Sequence, residues 1–175
     1  MVGLVVFDNR EELLRDNMGG EGSRISGEVD AVLYRWASED MGGFLRRLSD
    51  NRYLFLTDES HVEEAKQRRF RVLDDVRAIK SGKNNMSATI SVGLGRGSQD
   101  IAESERWARQ ALDMALGRGG DQVAIKNGNT FEFFGGVSNT VVPLIFCEME
   151  RRTCKMFPSI SDHLRALISP FRMPV

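Results

Sequence analysis

Cysteine and proline are scarce in this chain of 175 residues, which contains two cysteines and four prolines. The spacing of Cys147 and Cys154 fits neither a zinc site nor a disulfide framework, so both are predicted to be ordinary thiols. No apolar run approaches the roughly 20 residues that a membrane-spanning helix needs. Met1 leads directly into a strand-like run without the basic start of a signal peptide. These absences predict a cytoplasmic chain with no membrane segment of its own.

An excess of charge of either sign is also absent, since 24 Lys and Arg against 25 Asp and Glu leave a net charge of −1. Domains that bind nucleic acid or an anionic membrane surface usually carry a marked basic excess. We therefore predict no nucleic-acid partner. The hydrophobic content of 41% is enough to build a core at the size of one ordinary domain.

Proline and glycine are distributed unevenly along the chain. All four prolines and both cysteines follow Thr140, whereas all 17 glycines lie at or before Gly136. Random placement would put every proline in this last fifth of the chain only about once in 600 cases. We predict a domain at residues 1–139 and an atypical C-terminal tail at residues 140–175.

The region before Thr140 alternates strand and helix patterns. The predicted elements are a buried strand (2–8), a helix (27–40), a hairpin (43–57), a long helix (60–80), a strand (86–95), a helix (98–120) and a hairpin turned by "NGN" (122–136). Ser60 with Glu63 forms a capping-box signature for the long helix. The next helix is predicted to bury a face that includes Ile101 and Ala108. This order indicates an α+β fold in which helices cover a mainly antiparallel sheet.

Several motifs resemble those of GGDEF domains, which have a nucleotidyl-cyclase-like, ferredoxin-like palm fold. The hairpin tip "SDNRY" (49–53) stands where the GGDEF signature would be, and "ATISVGLG" (88–95) resembles a later strand of the family. More narrowly, "FDN", "RRLSDNRYL", "SVGLGRG" and "ALDMALGRGGDQVAIK" with "FFGG" resemble the degenerate GGDEF domain of GdpP-type proteins. The resemblance covers about residues 2–139 and implies a mainly antiparallel sheet flanked by helices.

The resemblance also implies a loss of cyclase chemistry. Active diguanylate cyclases hold two Mg²⁺ with an aspartate of the first strand and the acidic third residue of the signature. These positions are Val6 and Asn51 here, and the family's phosphate-contacting lysine on the last helix is Leu116. The two glycines that let GTP approach the turn are replaced by Ser49 and Asp50. We therefore predict that the chain does not make cyclic di-GMP.

A residual nucleotide site is the alternative prediction. Asp8 and Asp50 are candidate ligands of one Mg²⁺ bound with ATP, and Asn51 and Arg52 are further nucleotide-binding candidates, since the Arg52 guanidinium could contact a phosphate. The resemblance to GdpP-like domains implies weak ATP hydrolysis at such a site. The simpler interpretation of the same residues is a solvated turn. The segment "GRGGD" (117–121) is predicted to be a helix cap and turn, not a phosphate cradle.

The resemblance implies partner domains as well. GdpP-type proteins carry a membrane anchor, a PAS sensor and a DHH phosphodiesterase module that cleaves cyclic di-AMP, whereas no DHH triplet follows Thr140 here. A frameshifted or truncated gene and a dedicated short regulator both remain open. We expect the chain to act as a homodimer or through sensor or catalytic partner domains. The tail is predicted to be poorly packed and dispensable, although its apolar residues are numerous enough to dock on an exposed face.

Overall fold

The computed structural model describes residues 1–16, 20–82, 85–135 and 144–145. The strands are β1 (Val2–Phe7), β2 (Phe44–Arg47), β3 (Arg52–Leu56), β4 (Ile90–Arg96), β5 (Gln122–Asn127), β6 (Thr130–Gly135) and β7 (Leu144–Ile145). The helices are α1 (Arg10–Asp16), α2 (Glu21–Arg35), α3 (Glu59–Gln67), α4 (Val72–Arg77) and α5 (Ile101–Gly117). A π-helical turn (Trp36–Asp40) continues α2.

The described strands form one seven-stranded sheet in the order β2-β3-β1-β4-β5-β6-β7. All neighbouring strands are antiparallel except β4 and β5, which are parallel. The predicted α+β class with a mainly antiparallel sheet is confirmed. The "NGN" hairpin is also confirmed, because β5 and β6 pair across it with Asn127 opposite Thr130.

Strand β7 lies in the region predicted to be a tail. It pairs with β6, and Leu144 stands opposite Phe131. The sheet therefore extends past residue 136, where the predicted elements end. The other residues of the predicted tail lie outside the described ones, so its packing and dispensability stay predictions.

The two faces of the sheet are covered unequally. One face carries the main core, in which α2, α3 and α4 bury side chains such as Val29, Val62 and Val76 against the strands. The other face carries α5, whose buried alanines Ala111 and Ala115 pack near β5 and β6. Small side chains let this helix lie close to the sheet.

The predicted helix over residues 60–80 is broken into α3 and α4. Arg69 and Phe70 have φ of 52° and 49°, and the Phe70 amide donates to the carbonyl of Ala65 (2.8 Å), which ends α3. The break buries the Phe70 ring, whose centroid lies 5.2 Å from that of Phe134. The predicted Ser60 cap is wrong, because Asp58 is the N-cap residue and makes no side-chain capping hydrogen bond. Tertiary burial of one aromatic ring therefore overrides the continuous helical pattern.

Two further helical features differ from expectation. Helix α1 was not predicted, and α2 begins at Glu21, six residues before the predicted start at Gly27. On α5, Ala108 is buried as expected but Ile101 is 75% exposed. Ile101 is the first residue of the helix, and no element of the described residues packs over its side chain. Within the described residues, no helix is long and apolar enough to cross a membrane.

Candidate functional site

The hairpin between β2 and β3 has a tip that is held by one arginine. Arg47 donates to the carbonyl of Ser49 (3.0 Å) and of Asp50 (2.9 Å), and also to the Asp30 carboxylate on α2 (2.9 Å). The Tyr53 hydroxyl donates to the same carboxylate at 2.5 Å. These bonds fix the tip to α2, so Arg47 has a structural role here.

Asp50 lies at this tip with its side chain 82% exposed. Its carboxylate is 3.6 Å from the guanidinium of Arg10 and 3.8 Å from that of Arg47. Ion pairs this exposed are strongly screened by water. The Asp50 carboxylate is therefore accessible, but two cations already lie next to it.

Asp8 follows β1, and its carboxylate points toward β4, on the side of β1 away from β3 and the hairpin tip. One oxygen, Oδ2, accepts hydrogen bonds from the Ser91 hydroxyl on β4 (2.9 Å) and from the Asp121 amide (3.0 Å). The other, Oδ1, is buried and has no hydrogen-bond partner among the described residues. Burial raises the pKa of the Asp8 carboxyl, and the two hydrogen bonds offset part of the rise. Asp8 is the one predicted ligand that retains a free buried oxygen.

A second acidic residue, Asp121, lies beside Asp8 and was not predicted as a site residue. Its Oδ2 is 2.6 Å from Nε of Arg77 on α4, and a further guanidinium nitrogen donates to its carbonyl at 3.1 Å. Burial raises the pKa of Asp121, and Arg77 opposes that rise. In the sequence, Asp121 is the last residue of "GRGGD" and lies more than 100 positions from Asp8, so no local pattern predicts that the two residues are in contact.

The "GRGGD" segment caps α5 as predicted. The Gly119 amide donates to the carbonyl of Leu116 and the Gly120 amide to that of Ala115, each at 3.0 Å. Gly120 has φ of 73°, and a Cβ there would lie 3.0 Å from Oδ2 of Asp8. Glycine is required at this position because the turn brings its backbone against the Asp8 carboxylate.

The candidate nucleotide ligands do not converge on one point through any described contact. Asp8 bonds toward β4 and the start of β5, whereas Asp50 pairs with Arg10 and Arg47. The backbone carbonyl of Asn51 is used by the sheet, since it accepts from the Phe7 amide at 2.8 Å. Among the described residues, no group of three or more His, Cys, Asp and Glu side chains could hold a metal. The two-carboxylate Mg²⁺ site stays a prediction.

An open groove of about 870 Å³ lies between α5 and strands β1 and β3. Val6 and Leu116 both line it, as does Arg52. The resemblance places a metal-binding aspartate at the first of these positions and a phosphate-contacting lysine at the second. Val6 is 8% exposed and Leu116 is 40% exposed. Apolar side chains therefore line the groove at both positions.

Solved structures with a similar arrangement of strands and helices include GGDEF domains. The GGEEF domain of a diguanylate cyclase from Vibrio cholerae matches 72% of this chain and 81% of its own, with 19% identity and a TM-score of 0.59. The GGDEF domain of DgcB from Caulobacter crescentus matches 71% of this chain and 75% of its own, with 17% identity and a TM-score of 0.58. At these identities the likeness establishes the fold, which is that of a GGDEF domain.

The family follows from the sequence itself. A model of the GGDEF domain of proteins like the cyclic-di-AMP phosphodiesterase GdpP matches residues 5–133. The chain belongs to this family of GdpP-like GGDEF domains. The expected resemblance is thereby confirmed.

Curated relatives extend the match along the chain. GdpP of Geobacillus thermodenitrificans is 36% identical over 170 residues, which are 97% of this chain and 24% of that protein. GdpP of Bacillus subtilis is 33% identical over 171 residues, again 97% and 24%. The chain thus spans about a quarter of these relatives. The alignments continue past residue 139, so the resemblance is longer than the expected 2–139 and reaches into the predicted tail.

Proposed function

We propose that this chain is a degenerate GGDEF domain that serves cyclic dinucleotide signalling as a regulatory module and does not make cyclic di-GMP. The observation that carries the proposal is the identity of three residues. Val6, Asn51 and Leu116 occupy the positions where the family resemblance places two metal ligands and a phosphate contact, and two of them line an apolar groove.

The chemistry of these side chains explains the expected loss. Condensing two molecules of GTP requires divalent cations that offset the negative charge of the triphosphate and leaving group. An amide is a weak ligand without charge, and valine and leucine offer no ligand at all. Ser49 and Asp50 also place side chains where the family has glycine, so a nucleotide has less room at the turn.

The relatives suggest what the module serves. The Geobacillus and Bacillus proteins are cyclic-di-AMP phosphodiesterases, and the chain spans about a quarter of each. By analogy, this domain would bias a phosphodiesterase module by packing against a partner domain or a second copy. Membrane anchoring of the longer protein and a cytoplasmic location of this domain belong to the same proposal.

Incubation with GTP and Mg²⁺ tests the loss of cyclase activity. We expect no cyclic di-GMP by chromatography, with an active diguanylate cyclase as the positive control. A matched triple variant, Val6→Asp, Asn51→Glu and Leu116→Lys, should bind a fluorescent GTP analogue more tightly in Mg²⁺ than the wild type does. Product from the wild type, or equal Mg²⁺-dependent binding by both proteins, would contradict the proposal.

Weak Mg²⁺-dependent ATP hydrolysis through Asp8 and Asp50 is the second candidate. The free buried oxygen of Asp8 favours it, since a cation could occupy that position. The surroundings of Asp50 fit a cation poorly, because Arg10 and Arg47 would repel it. Phosphate release by the wild type should be compared with that of Asp50→Ala and Asp8→Asn. Equal background release from all three proteins would exclude the hydrolase.

A further inference from the structure

The groove between α5 and the strands has an apolar floor and an apolar wall. Leu4 of β1 and Leu54 and Leu56 of β3 form the floor. Leu112 and Leu116 of α5 contribute to the wall. Soluble domains rarely expose a contiguous apolar surface of this kind to water.

Exposed hydrophobic side chains concentrate around this groove. The described residues include six large hydrophobic side chains that are exposed, and four of them line the groove. A fifth, Phe44, lines an adjoining pocket that shares Leu56 and Ile101 with the groove. The sixth, Tyr34, lies on α2 at the opposite face of the sheet. The four groove residues are Leu48, Leu56, Ile101 and Leu116. Such clustering on one face marks an interaction surface, since scattered exposure would have no preferred side.

The uncovered space has the width of one helix. A helix is about 10 Å across and strands lie about 4.8 Å apart, so one helix covers about two strands. Helix α5 lies over β4 and β5 and reaches the edge of β1, where the Val2 amide donates to the Ser104 hydroxyl at 3.0 Å. No element of the described residues covers strands β3 and β2 on this face. The groove beside α5 runs about 22 Å, the rise of the helix from Ile101 to Leu116.

Charges of opposite sign flank the two sides of the groove. Arg52 and Arg46 stand on the strand side, where Arg46 shares a face with its register partner Leu54. Asp100 and Asp113 stand on the helix side. None of these four has an ion-pair partner within the described part of the chain. Glu105 and Arg109 also line the helix side, where they offset each other's charge in an ion pair of 2.5 Å. An occupant that complements them carries basic residues toward α5 and acidic residues toward β2.

The described helices of a second copy do not fit this space. The solvent side of α5 carries Glu103, Arg106 and Gln110, which would place charged and polar groups on the leucine floor. Helices α1, α2, α3 and α4 already bury apolar side chains in the main core. The relatives offer another source, because about three quarters of their length lies outside the matched region.

We propose that the groove binds one amphipathic helix of a partner domain, which corresponds to a part of the relatives outside the matched region. The helix has an apolar stripe that covers Leu54, Leu56 and Leu116, a basic edge that faces α5 and an acidic edge that faces β2. This inference deepens the proposed regulatory function and rests on it, since it names the surface through which the domain would contact its partner. A helix that binds in an apolar groove contacts it through apolar residues at positions i, i+3, i+4 and i+7.

A synthetic peptide tests the inference on the full chain. The probe is a fluorescein-labelled peptide of about 18 residues with leucines at those spacings, lysines along one edge and glutamates along the other. A peptide of the same composition with scrambled order is the control. Anisotropy should show saturable binding of the patterned peptide with a Kd below about 100 µM, and no saturation with the scrambled one.

Variants of the protein locate the binding surface. Ile101→Asp and Leu56→Asp should each raise the Kd at least about tenfold, because each places a carboxylate against the apolar stripe. The matched control Tyr34→Asp changes an exposed hydrophobic residue on the other face and should leave the Kd unchanged. Asp113→Lys should weaken binding several-fold, and high salt should shrink that difference. Circular dichroism confirms that each variant is folded.

Three outcomes would overturn the inference. The first is equal binding of both peptides, and the second is equal affinity of Ile101→Asp and the wild type. The third is a dimer of the wild type by sedimentation that Ile101→Asp dissociates, because the occupant would then be a second copy. None of these measurements involves GTP or ATP. Their failure therefore leaves the absence of cyclase activity untouched, and product from GTP would leave the helix site untouched.

Discussion

Substitution of Gly93 by alanine tests how closely α5 packs on the sheet. Gly93 lies in β4, and a Cβ built there would fall 2.7 Å from Cα of Leu112 and still nearer the carbonyl oxygen of Ala108. Ordinary van der Waals contacts of a Cβ begin near 3.4 Å. The obstructing atoms are helix backbone, so no side-chain rotation relieves the clash. Helix α5 as a whole would have to move away by roughly 1 Å.

The expected cost follows from this displacement. Overpacking a core that can adjust its side chains costs about 1–3 kcal/mol, and a clash with backbone belongs at or above the upper end. We expect Gly93→Ala to lower the free energy of unfolding by about 3 kcal/mol or more. For a chain of this size the thermal midpoint would then fall by about 6–12 °C. The loss would be larger than most single substitutions cause.

Urea unfolding followed by far-ultraviolet circular dichroism measures this change. The matched control is Gly27→Ala in α2, where a Cβ would meet nothing within 4 Å. Alanine is preferred over glycine in a helix, so this control should stabilise the chain by about 0.5–1 kcal/mol. If Gly93→Ala unfolds within about 0.5 kcal/mol of the wild type, the close packing of α5 is not what requires glycine at this position.

Three further predictions concern the charged residues of the site. Burial raises the pKa of the Asp8 carboxyl in the folded chain. The protonated carboxyl therefore contributes its full stabilisation of the fold below the ordinary pKa of aspartate, and this stabilisation is lost as the pH rises through the raised pKa. The stability of Asp8→Asn relative to the wild type should therefore increase between about pH 4 and pH 7 in urea titrations, and a constant difference would contradict the buried carboxylate. Arg77→Met removes the cation beside the half-buried Asp121 and should lower the free energy of unfolding by about 1–3 kcal/mol. The control Arg71→Met changes a side chain that is 81% exposed and should lower it by less than about 0.5 kcal/mol. Equal losses in the two variants would refute the pairing of Arg77 with Asp121. Asp50→Ala should change the unfolding free energy by less than about 0.5 kcal/mol, and a larger loss would show that its exposed ion pairs stabilise the hairpin.

The local patterns of the sequence predicted those elements whose stability is local. The "NGN" turn joins two strands because its residues suit a tight turn, and β5 and β6 pair across it with the register that the turn sets. The glycines after α5 cap that helix through backbone bonds between near neighbours. The break between α3 and α4 could not be read in this way, because the burial of Phe70 against Phe134 joins residues far apart in the chain.

The sequence alone also determined the family and the expected loss of cyclase chemistry, because the identity of a side chain decides whether it can bind a metal. Val6, Asn51 and Leu116 cannot act as charged ligands in any fold. Only the tertiary structure showed that Asp8 contacts Asp121 and that a helix-wide apolar groove adjoins α5. Both arise where strands distant in sequence become neighbours in one sheet, since the order β3-β1-β4-β5 brings together residues that no local periodicity relates.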